Sequence, residues 1–269
     1  MSESSTWPPP GTDIDTPSAP RIYDYALGGA HNFAADRAAA EAFFTAYPDA
    51  PLVARSNRAF LQRSVRYCVS QGITQFLDLG SGIPTVGNVH EIATQLNPDA
   101  RVVYVDNEPV AVAHTREIIA DVPNVAIVDA DMRDAEAVLH APETQRLIDF
   151  SQPLGLMMVA VLHYVANDDG IADIMARYKS VLAPGSFLVI SHTTEDPRPE
   201  IEAVIKKVFE EAGAPIIHRD RDEVTALFGG LEILEPGVVW TPEWQPDESD
   251  ALHAEPFRSA TFAAVARVP

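Results

Sequence analysis

A parallel β-sheet covered by helices on both faces, the α/β class, is what this sequence predicts, and three observations predict it. The stretch Phe76-Leu77-Asp78-Leu79-Gly80-Ser81-Gly82 reads as a strand that runs into a glycine turn. A second apolar run, Val102-Val103-Tyr104-Val105-Asp106, ends in an acid about twenty residues past that turn, as in the first half of nucleotide-binding α/β domains. Beyond it, apolar runs alternate with helix-patterned segments, which gives a parallel sheet rather than a meander.

Taken in order, residues 1–20 hold Pro8, Pro9, Pro10, Pro17 and Pro20 among polar residues and read as a mobile or extended arm. Residues 21–72 form a helical extension, Ala-rich from Phe33 to Tyr47, broken at Pro48 and resumed from about Pro51 to Ser70. Residues 73–269 carry the sheet. Its strands are expected at Gln75–Leu79, Arg101–Asp106, Val125–Asp129, Leu154–Leu162 and Gly185–His192, with helices near Val86–Leu96, Pro109–Ala120, Asp169–Leu182 and Arg198–Ala212. Leu231–Trp240 and Phe257–Val268 are joined by a Pro- and acid-rich loop without a helix pattern, which predicts antiparallel pairing at the sheet's edge. No internal repeat interrupts this order.

Composition narrows the partners. At 269 residues, 46% of them apolar, the chain can bury a full core. A formal net charge of −20 makes nucleic acid a poor partner, because phosphate backbones are held by clustered Lys and Arg and no basic tract is present. The single cysteine, Cys68, excludes an internal disulfide and a cysteine-rich metal cluster, and its helix-like surroundings suit a buried thiol. Leu154–Leu162 is the longest apolar run and is too short to span a bilayer, so no membrane is expected. The N-terminal residues lack the basic and apolar regions of a signal peptide, which makes the cytoplasm the expected location.

The ligand follows from what surrounds the glycines. Gly80 and Gly82 allow a sharp turn off the strand tip and a close backbone approach to a ligand. Asp106, at the next tip, can accept hydrogen bonds from both hydroxyls of a ribose. A dinucleotide fingerprint would place a third glycine or alanine after Gly82, whereas this chain continues Ile83-Pro84-Thr85. Asp78 would face a pyrophosphate with its negative charge, yet it suits an ammonium and a sulfonium. S-adenosyl-L-methionine is therefore favoured over a nicotinamide or flavin cofactor, although Asp78 can also act only as a cap of the turn. No Cys/His cluster of metal-site spacing is present, so no metal is expected.

The residues Arg21-Ile22-Tyr23-Asp24-Tyr25-Ala26-Leu27-Gly28-Gly29 and His31-Asn32-Phe33-Ala34-Ala35-Asp36-Arg37 precede this turn. With Asp78-Leu79-Gly80-Ser81-Gly82-Ile83-Pro84-Thr85, Gly87-Asn88-Val89-His90-Glu91 and Val105-Asp106-Asn107-Glu108-Pro109, they make nearly the whole chain resemble the actinobacterial S-adenosyl methyltransferase family, among the class I S-adenosylmethionine-dependent methyltransferases. The resemblance implies a Rossmann-like seven-stranded sheet, mostly parallel with a reversed last strand, and cofactor above the strand tips. It implies that Gly80, Ser81 and Gly82 approach the methionine moiety, that Asp78 meets the ammonium, that Asp106 holds the ribose and that Asn107 lies against the adenine. Asp131 and Met132 match the segment that receives the adenine amine. Asp131 is equally placed to cap a helix starting near Asp134. Pro84 departs from the glycine of many methyltransferases and removes one backbone donor.

His163 and Tyr164 follow the fourth strand directly, where ligands bind in such sheets. Methyl transfer needs in-line placement in a dry pocket, and a base only where the acceptor must lose a proton, so His163 is a candidate base or a histidine hydrogen-bonded beside the cofactor. His192 is a weaker candidate of the same kind. Tyr23, Gly29 and His31, beside the Gly28-Gly29 pair, read either as core contacts of the extension or as parts of a lid over the cofactor. The acceptor pocket is expected to be roofed by this segment and by the loop after Val239. A small-molecule methyl acceptor is the expected partner, a homodimer is left open, and a non-catalytic S-adenosylmethionine-binding regulatory module is the competing reading.

Overall fold

Every residue of β1 (Gln75–Leu79) is buried, and so is all of β2 (Arg101–Asp106) after its first residue. Strands this apolar need cover on both faces, which parallel sheets obtain from crossover helices. The protein, seen in a computed structural model, is described over residues 7–85, 87–196 and 202–269. Here β1, β2, β3 (Val125–Asp129), β4 (Gly155–Val159) and β5 (Phe187–Thr193) run parallel in the order β3-β2-β1-β4-β5. Three further strands, β6 (Glu232–Ile233), β7 (Val239–Trp240) and β8 (Thr261–Arg267), close the far side. β8 lies antiparallel against β5, and β6 and β7 pair antiparallel with its outer side. The last two are pieces of one edge, parted by a turn in which the Gly237 N–H donates to the Leu234 carbonyl at 2.8 Å. Eight strands thus fill seven positions, with the reversed strand second from the edge.

Helices α1 (Ala19–Ala26), α2 (Ala34–Ala46) and α3 (Ala50–Ser70) precede the sheet. Between and after the strands come α4 (Val89–Leu96), α5 (Pro109–Ile118), α6 (Ala135–His140), α7 (Pro142–Leu147), α8 (Ile171–Lys179), α9 (Glu202–Glu211) and α10 (Arg221–Phe228). The helices expected from Val86 and from Arg198 begin on residues outside those described. On α3 the buried residues Phe60, Leu61, Ser64, Val65 and Cys68 recur at helical spacing and pack on one face of the sheet, and burial pushes the Cys68 thiol up to about 12. The opposite face packs on α6, α7, α8 and α10. Among the described residues no helix is long and apolar enough to cross a membrane.

Three expectations are corrected. The fourth strand stops at Val159 rather than Leu162, because Ala160 turns into the left-handed region at φ 57° and a short 3-10 turn, Leu162–Tyr164, follows. The helices α6, α7 and α10 were not anticipated, although Asp220 and Glu223 spell a capping box in which the Glu223 N–H donates to Asp220 Oδ1 at 2.8 Å and the Asp220 N–H to Glu223 Oε2 at 2.9 Å. The loop after Val239 does not roof the site; it packs along α3, with Arg63 Nη2 donating to the Thr241 carbonyl at 2.7 Å and Ser56 Oγ to Asp250 at 2.9 Å.

Arg21 ties the front of the chain to the sheet. It is almost fully buried, its Nε bonds both carboxylate oxygens of Asp36 on α2, and its Nη1 reaches Glu108 at 3.2 Å. Glu108 is itself the N-cap of α5, accepting the Ala111 N–H at 2.8 Å. Arg21 Nη2 also donates to the carbonyls of Asp13 and Thr16. The segment from Trp7 onward, expected as a mobile or extended arm, is instead pinned by these bonds and by Trp7 packing on His31 and Phe33.

Candidate active site

The strand order reverses between β2-β1 and β4-β5, and such switch points leave a crevice outside the carboxyl ends of the strands. A cleft of about 390 Å³ lies there. Its floor is Asp78, Gly80, Ser81 and Gly82 after β1, Asp106 and Asn107 after β2, Asp131 and Met132 after β3, and Ala160 after β4. Its roof comes from Ala19, Pro20 and Tyr23 of α1, from Asn57 and Arg58 of α3, and from the stretch between α9 and α10 around Pro215.

Both glycines of the turn have positive φ, 67° at Gly80 and 66° at Gly82, but they serve different neighbours. A Cβ at Gly80 would collide with the Val161 side chain, so this glycine admits the chain after β4. A Cβ at Gly82 would meet no protein atom within 4 Å, so the space beside it is open. The turn hangs on β2: the Gly80 and Ser81 N–H groups donate to the Val105 carbonyl, and the Gly82 N–H donates to Asp106 Oδ2 at 2.7 Å. Asp106 Oδ1 accepts the Glu108 N–H at 2.9 Å. Burial raises the Asp106 carboxyl, and these backbone donors oppose the rise.

Asp78 sits behind the turn with no hydrogen-bond donor on its carboxylate among the described residues. Its pKa is raised to about 7 by burial and further by Asp106, with Arg58 opposing. Arg58 is held by Thr85 Oγ1 and by Asn88 Oδ1, at 3.2 Å to the latter. Asp131 is occupied: Arg133 Nε meets Oδ1 at 3.0 Å and Oδ2 at 2.9 Å, which holds this carboxyl below its usual range. The helix cap considered for Asp131 belongs instead to Asp134, which accepts the Ala137 N–H at 3.0 Å.

The residues singled out in the extension divide. Tyr23 lines the cleft; its hydroxyl donates to the Ala54 carbonyl and accepts from Asn57 Nδ2, both at 3.0 Å. Gly29 and His31 do not line it. Gly29 completes the end of α1, where Gly28 turns to φ 81°, the Gly28 N–H donates to the Tyr25 carbonyl, and the Gly29 N–H donates to the Asp24 carbonyl. A Cβ at Gly29 would collide with the buried Asp24 carboxylate, whose Oδ2 accepts the His31 N–H and Asn32 Nδ2. The His31 ring stacks on His114 of α5, 3.6 Å between centroids.

His163 lies one wall away. It lines a second cavity, of about 120 Å³, that adjoins the cleft through Ala19, Tyr23, Asn57, Ala160 and Tyr164. Burial pushes the His163 pKa well below the usual histidine value, and His192, His218 and Arg219 push it the same way. His192 is lowered to about 3, chiefly by burial; its Nδ1 meets the Thr193 carbonyl at 2.7 Å and its Nε2 meets Arg219 Nη1 at 2.8 Å. Since an arginine N–H can only donate, Nε2 accepts and the proton sits on Nδ1. Sequence reasoning missed Asn57, Arg58 and Arg133; the signal available for the first two was the polar run Arg55-Ser56-Asn57-Arg58 between the apolar stretches of α3. Among the described residues no group of three or more His, Cys, Asp or Glu could hold a metal ion.

The chain belongs to the S-adenosyl methyltransferase family, whose profile matches residues 5–269. A candidate methyltransferase from Thermobifida fusca YX is 41% identical, with a TM-score of 0.91 over 98% of this chain and 99% of that one. A DUF574 family protein from Streptomyces avermitilis MA-4680 is 36% identical, with a TM-score of 0.92 over 96% of this chain and 99% of that one. An O-methyltransferase family protein from Burkholderia thailandensis, 12% identical with a TM-score of 0.51 over 83% of this chain and 61% of that one, shares the fold alone. No curated protein matches. S-adenosyl-L-methionine is the cofactor of this family, and the cleft fits it on three counts. Ser81 Oγ is buried at the cleft without a partner, Gly82 leaves open space, and Asp78 offers a carboxylate that an ammonium would satisfy.

Proposed function

We propose that this protein transfers the methyl group of S-adenosyl-L-methionine to a small-molecule acceptor. The observation that supports this reading is the second cavity beside the cofactor cleft, which shares Ala19, Tyr23, Asn57, Ala160 and Tyr164 with it. A module that only bound the cofactor would need no such space. The roof over the cleft is built from α1, α3 and the segment before α10.

When bound, the cofactor supplies an electrophilic methyl on a sulfonium. In this reading Asp106 accepts the two ribose hydroxyls, Asp78 meets the ammonium, Gly80, Ser81 and Gly82 lie along the methionine moiety, and Asn107 and Met132 flank the adenine. Asp131 shares its carboxylate between Arg133 and the adenine amine. The roof excludes water and sets the acceptor in line with the methyl. The acceptor's nucleophilic atom bonds to the methyl carbon as the carbon–sulfur bond breaks and its electron pair returns to sulfur. Any proton on that atom passes to solvent as the product leaves, and burial keeps His163 neutral and a weaker base than an ordinary histidine. The test is incubation of the purified protein with S-adenosyl-L-methionine and a metabolite panel, read by mass spectrometry. A methylated product with equal formation of S-adenosylhomocysteine is expected; tight cofactor binding with no product across the panel would favour the regulatory module.

A further inference from the structure

Rings and small side chains make up most of the second cavity. Phe43 of α2, Tyr47 just after it and Phe209 of α9 face it, and Phe43 meets Phe209 edge-on at 5.7 Å and 82°. Among the described residues its wall carries one carboxylate, Glu195, which is exposed, and no lysine or arginine. A buried anion there would lose its water without gaining a counter-ion. At about 120 Å³ the space is on the scale of cavities, about 150 Å³, that hold a benzene ring.

The polar groups of Tyr23, Asn57 and Ala160 in the shared wall are satisfied by one another and by Ser191, whereas the Tyr164 hydroxyl makes no hydrogen bond among the described residues. Ala160 N–H donates to Ser191 Oγ at 2.9 Å, Ser191 Oγ donates to Asn57 Oδ1 at 2.6 Å, Asn57 Nδ2 donates to the Tyr23 hydroxyl, and that hydroxyl donates to the Ala54 carbonyl. This chain also fixes Ala160 in its left-handed conformation, a strained state for alanine of the kind that collects at functional sites. His163 is different. It is nine-tenths buried, lines the cavity, and its Nδ1 meets no partner among the described residues. An unpaired buried polar atom in a native protein calls for a reason, and a bound hydrogen-bonding group would supply one.

We propose that this cavity is the acceptor subsite and that it takes a neutral, single-ring aromatic molecule whose one hydrogen-bonding group is read by His163. The proposal rests on the methyltransferase reading, which supplies the reason for an acceptor to lie beside the cleft. It makes His163 a binding residue and gives Phe43, Tyr47 and Phe209 the role of selecting ring over chain.

Phenol, toluene and benzoate serve as probes, followed by saturation-transfer NMR on the full chain loaded with S-adenosylhomocysteine. Phenol is expected to bind at least tenfold more tightly than benzoate and more tightly than toluene. In Val53→Trp, which fills the cavity from α3, phenol affinity should fall at least tenfold while S-adenosylhomocysteine affinity stays within twofold. In His163→Leu the preference for phenol over toluene should vanish while toluene still binds. Phenol that fails to bind the loaded protein, or binds Val53→Trp unchanged, or binds no better than benzoate, overturns the proposal. If the wild-type chain does not bind S-adenosylhomocysteine at all, the methyltransferase reading falls and takes this one with it, so the two failures are told apart by the first titration.

Discussion

Oδ2 of Asp106 takes the Gly82 N–H at 2.7 Å, so the carboxylate proposed to hold the ribose also holds the glycine turn in shape. Asp106→Ala should therefore weaken S-adenosyl-L-methionine by about 1.5–3 kcal/mol, the cost of losing hydrogen bonds to a charged group. Calorimetry reads this as a loss of roughly 10- to 150-fold. Unchanged affinity would remove Asp106 from the ribose site.

Asp78 carries a pH dependence with a definite sign. Its folded pKa is near 7 against an ordinary aspartate value of 3.8, so between these values the folded, ligand-free protein holds a proton that the unfolded chain lacks. Its contribution to stability is therefore complete below about 4 and is lost as pH rises to 7. An ammonium ligand selects the ionised form, so cofactor affinity should fall on acidification from pH 7 to pH 5.5, up to about tenfold per pH unit. In Asp78→Asn this slope should disappear, and the ligand-free variant should melt higher than wild type at pH 8. Binding titrations over that range and melting curves check both.

Gly29 and Gly28 are expected to differ in their tolerance of alanine. Gly29→Ala drives a methyl into the Asp24 carboxylate, which must move and release His31 and Asn32, so it should cost about 2–3 kcal/mol. Gly28→Ala meets no atom and pays only for its left-handed backbone, about 1–2 kcal/mol. Urea unfolding of the two variants gives the order.

Arg21→Met should be the most damaging change in the extension. It strands two buried acids, Asp36 and Glu108, and breaking a buried ion pair on one side costs about 3–5 kcal/mol. Double replacement, Arg21→Met with Asp36→Leu, should recover part of that loss in the same unfolding experiment.

Local signals were legible and long-range ones were not. The turn from Asp78 to Gly82 and the acid Asp106 could be read because each role depends on residues next to it in sequence. The end of β4 could not, since Ala160 is left-handed only because Ser191 of β5 and Asn57 of α3 hold it there. The second cavity was invisible for the same reason: Phe43, His163 and Phe209 meet through packing of helices far apart in the chain. His31 and Gly29 looked like lid residues by chemistry, yet their chemistry is spent on Asp24 and His114. Asp220 and Glu223, by contrast, spelled the start of α10 in plain sequence.

The broken edge formed by β6 and β7 bears on how copies of this chain can meet. A long, flat outer strand would expose a ladder of free N–H and C=O groups, a template on which a second molecule could extend the sheet and seed insoluble assemblies. Here the outermost strand is cut into pieces of two residues each, set apart by Pro236 and Gly237, and the long reversed strand is sealed between them and β5. This margin of the sheet thus guards against runaway strand addition, and the opposite margin is the parallel strand β3, against which α5 and α7 pack.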